Sequence, residues 1–157
     1  MRTFTRLSGA RAIAGFQSHH LIPVAVFASK SFANAFDLVR LNGFDVRYFP
    51  RNGLFLPATE AAAIQSGLPL HRGPHRRYND LVAHRIAAIF RDFPQMGYRQ
   101  SARYDAVERI HLLAGALRAS LYGSPPRISL NHRDPFNTAV NFTDLDSACD
   151  ALWLATK

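Results

Sequence analysis

With 157 residues, 48% of them hydrophobic and 19% charged, the chain has the composition of one globular domain, which excludes a disordered or low-complexity polymer. Its 19 Lys plus Arg against 11 Asp plus Glu leave a formal charge of +8, carried almost wholly by arginine, whose planar fork suits phosphate oxygens and favours a polyanionic partner. The single cysteine, Cys149, excludes an internal disulfide and a thiolate metal cluster, so histidine, asparagine or carboxylate must hold any metal.

Residues 1–15 carry Arg2, Arg6 and Arg11, show little period and lack the continuous apolar core of a secretory signal; they are expected to form an arm. No run reaches the roughly 18 apolar residues of a membrane span. The expected location is the cytoplasm, with any export using a route without a standard signal peptide. Leu21, Ile22, Val24 and Val26 predict an extended, mostly buried segment over Phe16 to Val26, bent at Pro23. Phe32, Ala35, Phe36 and Val39 recur at helical spacing between Ser31 and Leu41, and Asn42-Gly43 supplies a left-handed stop. Val46 to Phe49 and Leu54 to Leu56 read as two short strands joined by a tight Asn52-Gly53 turn.

Thr59 can cap a helix through Ser66, stopped by Gly67. Pro74 suits the first position of the next helix, whose inner face would carry His75, Tyr78, Val82, Ile86, Ile89 and Phe93. Residues 102–122 form the clearest helix, with Val107, Ile110, Ala114, Leu117 and Leu121 on one stripe, and read as scaffold. Residues 127–142 are rich in turn formers and take no assignment. Thr143 opens a last helix with Leu145, Ala148, Cys149 and Leu152 on its apolar side.

The histidines carry the chemistry. His71 and His75 stand at a spacing used by zinc ligands, and a histidine at a helix start is disfavoured from protonating by the helix dipole, as a metal ligand requires. His19 and His20 form a doublet. On a regular strand successive side chains leave on opposite faces, so either one of the pair faces away or a bulge near Pro23 brings both to one site. The preferred division gives His19 to a metal and His20 to proton transfer. Asn52 is expected to fix the ring orientation and tautomer of the base histidine through its amide oxygen. His84 and His111 read as helix surface and scaffold, and His132 as a reserve candidate in a loop.

Ser18-His19-His20-Leu21-Ile22-Pro23, Asn52-Gly53-Leu54-Phe55-Leu56-Pro57 and Gly67 through Asn79, taken in that order, resemble the AHH group of HNH (His-Me finger) nucleases, with Ser18 where that group usually has alanine. The resemblance covers about residues 16–90. It implies an α+β, ββα-metal core; the length of the chain predicts one domain spanning 1–157, and helical periodicity adds surrounding helices with a helical extension over about 100–157. By motif position, His20 is the general base, Asn52 orients it, and His19, His71 and His75 hold one divalent ion: zinc, nickel, manganese or magnesium. Arg51, Arg72, Arg76 and Arg77 flank these pieces and would grip backbone phosphates.

The expected activity is endonucleolytic hydrolysis of DNA, with a toxin-type role and a cognate inhibitor or immunity protein as the setting common in that group. No membrane partner is expected. Two other readings remain: an RNase on the same scaffold, and a non-catalytic nucleic-acid-binding module around a structural zinc. A departure from the simplest HNH pattern is the long Asn52-to-His71 segment, which contains an extra helix.

Overall fold

A five-residue strand, β1 (Phe16–His20), begins where Gly15 takes a left-handed φ of 78°, and pairs antiparallel with β2 (Gly53–Pro57), Phe16 opposite Pro57 and His20 opposite Gly53. The computed structural model describes residues 13–28, 32–40, 43–91, 99–123, 128–131 and 133–136. Most of the expected arm, Phe93, His132 and the helix expected from Thr143 lie outside these residues.

Three helical pieces separate the strands: α1 (Val24–Phe27), α2 (Ala33–Arg40) and α3 (Phe49–Asn52). After β2 come α4 (Glu60–Ser66), α5 (Arg76–Phe90) and α6 (Gln100–Tyr122). A small antiparallel strand pair surrounded by helices is the α+β architecture expected of the chain. Among the described residues, no helix is long and apolar enough to cross a membrane.

Two local expectations are corrected. The extended segment ends at His20; Pro23, at φ −62° and ψ 135°, leads into α1, so Val24 and Val26 are helical. The Asn52-Gly53 step is not a hairpin turn. Pro50 sits in the first turn of α3, where its fixed φ is favourable and its missing N–H costs nothing, and the Asn52 N–H bonds Tyr48 O at 3.0 Å. Gly53, at φ −134°, is already extended, whereas a tight hairpin turn of that type needs positive φ at both central residues. The partner of β2 is β1, not residues 46–49. Glycine is required at 53 for space: a Cβ there would run into the Phe49 ring.

The remaining helices follow the local signals. The Thr59 hydroxyl accepts from the Ala62 N–H at 3.2 Å, and Gly67 closes α4 at φ 68°. Helix α5 turns Tyr78, Val82, Ile86 and Phe90 inward. Helix α6 buries Ala102, Ala106, Val107, Ile110, Leu113, Ala114, Ala116, Leu117 and Leu121, a set wider than one stripe, because it packs against both α2 and α5. Leu21, Ile22, Val82, Ile86, Ile110, Leu117 and Leu121 are fully buried in one core, each stabilising the fold by roughly 1.5–3 kcal/mol through apolar burial. Leu21 and Ile22 directly follow the histidine doublet, so the end of β1 is fixed by that core.

Candidate metal centre

His19, His71 and His75 converge although the first and second are 52 positions apart in sequence. One ligand atom from each lies within 4.8 Å of the others, near enough to be shared by one ion. The ring centroids of His71 and His75 are 4.5 Å apart, and His19 lies 5.0 Å from His71 and 5.6 Å from His75.

Each position follows from a backbone constraint. His19 pairs with Leu54 in the strand ladder and is 4% exposed. The His71 N–H donates to the carbonyl of Pro57, the last residue of β2, at 2.7 Å. The His75 carbonyl accepts from the Asn79 N–H at 2.9 Å and so opens α5. The helix starts two residues later than the Pro74 signal predicts: His75 is the N-cap residue and Arg76 the first helical one.

Hydrogen bonds select the ring nitrogens. His71 Nδ1 lies 3.1 Å from Gln17 Oε1, and His75 Nδ1 lies 3.3 Å from Leu130 O. An amide or peptide oxygen only accepts, so both rings carry their proton on Nδ1 and keep the Nε2 lone pair for a ligand. His19 Nε2 is buried with no hydrogen-bond partner among the described residues. A buried polar atom left unpaired costs about 1–3 kcal/mol, and a bound cation is the group that would satisfy it beside two other imidazoles.

Electrostatics keep the cluster neutral. Burial chiefly, then repulsion from His71, His75 and His20, lowers the His19 pKa to about 2. Burial, then His75, lowers His71 to about 4. Burial also lowers His75, opposed by its bond to Leu130. Three unprotonated nitrogens therefore face one another at neutral pH, which is the state that binds a metal.

The ladder is regular through His20, without a bulge, so His20, the last residue of β1, leaves the strand on the face opposite to His19, yet it stays close enough for its charge to lower the His19 pKa. The His20 ring meets the Phe49 ring edge to face at 6.3 Å; its Nε2 is buried with no hydrogen-bond partner among the described residues, and burial lowers its pKa.

Asn52 is fully buried, but its amide oxygen serves another group than expected. Oδ1 accepts from the Ile22 N–H at 2.9 Å, while Nδ2 donates to Ile22 O at 2.9 Å and Val46 O at 2.8 Å. Its backbone carbonyl accepts from Leu21 N–H at 2.9 Å. The expected contact between amide oxygen and base imidazole is replaced by a grip on the backbone just after His20. The reason is burial: a closed amide must satisfy its own donors and acceptor, and the chain turn at 21–22 offers the matching groups.

Arg51, Arg72, Arg76 and Arg77 are all exposed, beside Asn52 or around His71 and His75. His84 is exposed on α5, as expected. His111 packs against the Phe44 ring at 5.3 Å, away from the cluster in sequence and role.

Several contributors carried no recognised signal. Gln17 shares a strand face with His19 by the two-residue period of a strand, and that period was the available clue. Tyr78 is 2% exposed, lies 5.1 Å from the His19 ring, and donates its hydroxyl to Leu21 O at 2.5 Å. Burial raises its pKa, which keeps the phenol a neutral donor. A tyrosine on the inner face of a helix needs such a partner, although its position does not identify which one.

A model of the AHH family, described as a nuclease family of the HNH/ENDO VII superfamily with conserved AHH, matches residues 2–113. Searches of curated proteins and of solved structures gave no significant match.

Proposed function

Since the chain belongs to the AHH family of HNH/ENDO VII superfamily nucleases, we propose that it is a metal-dependent endonuclease that hydrolyses DNA phosphodiester bonds. The observation that carries this reading is the convergence of His19, His71 and His75 with all three nitrogens unprotonated. In it these three side chains hold one divalent ion, and imidazole ligands favour zinc or nickel, then manganese, over magnesium. A divalent ion there supplies positive charge to the phosphoryl oxygens and the departing 3′ oxygen.

The protein's own residues do the rest. His20, adjacent to a ligand and uncharged, accepts a proton from the attacking water. Asn52 holds the Leu21–Ile22 backbone and thereby the end of the strand that carries His20. Arg51, Arg72, Arg76 and Arg77 bind flanking phosphates. Such contacts do not read base edges, so sequence preference is weak.

Plasmid nicking with and without chelator, comparing wild type with His20→Ala, tests the reading. Metal-dependent nicking by wild type, slowed by about 10²-fold or more in His20→Ala, supports it. Chelator-insensitive binding without strand breaks would favour a structural zinc module instead. A structural zinc site is closed by four protein ligands, whereas the catalytic reading keeps one position of the ion open beside His19, His71 and His75. A parallel RNA substrate identifies an RNase. The proposed cellular setting is toxin-type, with a cognate inhibitor; killing upon cytosolic expression in bacteria, lost in His20→Ala, is the corresponding test.

A further inference from the structure

The loop bearing His71 and His75 has no regular secondary structure, yet it is held by residues beyond those the family model matches. His75 Nδ1 donates to Leu130 O at 3.3 Å, and Asn131 Nδ2 donates to Arg72 O. Asp134 is 5% exposed and reaches across 64 positions of sequence: its Oδ2 accepts from the Leu70 N–H at 3.0 Å, immediately before His71. Its other oxygen accepts from the Phe136 N–H at 3.0 Å.

The segment making these contacts is itself anchored. Ile128 N–H bonds Ser120 O at 3.2 Å near the end of α6, and Ile128 and Leu130 are buried in the core at 5% and 7% exposure. Within it, Ser129 Oγ donates to Asn131 O at 2.8 Å, Asp134 N–H to the same carbonyl at 3.0 Å, and Arg133 N–H to Asn131 Oδ1 at 2.9 Å. The ligand loop is thus fixed at Leu70, Arg72 and His75 by one short strap, and at His71 by Pro57.

We propose that Asp134 is a positioning residue of the metal centre, acting with Leu130 and Asn131 as a strap that sets His71 and His75 for the ion. The proposal rests on the reading that His19, His71 and His75 hold a metal. Asp134 touches no ligand ring. It fixes the backbone from which His71 projects, while Leu130 fixes the tautomer and ring plane of His75. The extension beyond residue 113 is in this sense part of the metal site.

Zinc affinity of the purified full chain, measured by chelator competition with zinc alone, tests the proposal on wild type, Asp134→Ala and Asp134→Asn. Loss of such supporting contacts weakens metal binding by roughly 10–100-fold, the result expected for Asp134→Ala. Asp134→Asn keeps one acceptor oxygen for the Leu70 N–H and should recover most of the loss. Asp134→Ala binding zinc as tightly as wild type would overturn the strap, whereas a wild type that binds no zinc would overturn the metal reading itself. Should Asp134→Ala fail to fold, NMR of the chelated wild type decides: a slowly exchanging Leu70 amide and a single Nδ1–H tautomer of His75 support the strap. A freely exchanging Leu70 amide with mixed His75 tautomers overturns it.

Discussion

Asn52 grips Ile22 with both ends of its amide, accepting from the Ile22 N–H and donating to the Ile22 carbonyl, each at 2.9 Å. A second Nδ2 bond, to Val46 O, leaves the amide fully used in a site closed to water. Asn52→Ala should cost about 2–5 kcal/mol, since several buried backbone groups lose their partner at about 1–3 kcal/mol each. Asn52→Asp should be worse than alanine, because it aims a carboxylate oxygen at the carbonyls of Ile22 and Val46. Urea midpoints of the two variants check the order; an aspartate variant as stable as wild type would contradict the geometry.

Ligand and base variants should separate by readout. His71→Ala and His75→Ala should lose zinc binding and cleavage together. His20→Ala should bind zinc like wild type yet cleave about 10²–10⁴-fold more slowly, the usual contribution of a general base. Zinc titration paired with single-turnover cleavage distinguishes them. A His20→Ala variant that has lost zinc would instead place His20 among the ligands.

Acid should destabilise the chelated protein. An imidazole in the unfolded chain protonates near pH 6.5, whereas folded His71 resists to about 4 and His19 to about 2. Between these values the unfolded chain binds more protons, so stability is complete above about pH 6.5 and is lost as pH falls toward 4 and below. His20 and His75 act in the same direction. Urea midpoints in chelator at pH 7.5, 6 and 5 should decline in that order. Zinc should steepen the decline, because protons compete with it for the same nitrogens.

DNA binding should weaken steeply with salt. Replacing Arg51, Arg72, Arg76 or Arg77 singly by alanine should lower affinity evenly across DNA sequences and reduce the slope of log affinity against log salt by about 1. Fluorescence anisotropy with catalytically silent His20→Ala carrying each change measures this. An unchanged slope removes that arginine from the phosphate contacts.

Much of this site was readable from the sequence where one residue type had few ordinary uses. Two adjacent histidines and a second pair at ligand spacing pointed to a metal, and His19, His71 and His75 do meet. Helix α4 was equally plain, since Thr59 and Gly67 mark its ends through local bonds. The Asn52-Gly53 step misled because turn chemistry is a local preference, and here it yielded to three side-chain bonds of the buried Asn52 made across 6 and 30 positions of chain. The segment at 128–136 has no period to reveal it. Its contribution lies in individual bonds from Leu130, Asn131 and Asp134 to a loop far upstream, and such pairings leave no mark on either stretch alone.

The pairing of β1 with a strand that begins only after the intervening residues 21–52 sets an order of events at the ribosome. His19 emerges early, but the ladder that orients it needs Gly53 to Pro57, and its companion imidazoles come later still. A nascent chain therefore carries an incomplete set of nitrogens until His75 has been added, with long-range closure needed before they meet. Delayed assembly of this kind would keep the metal site of a nuclease-family chain unfinished until its later histidines are made.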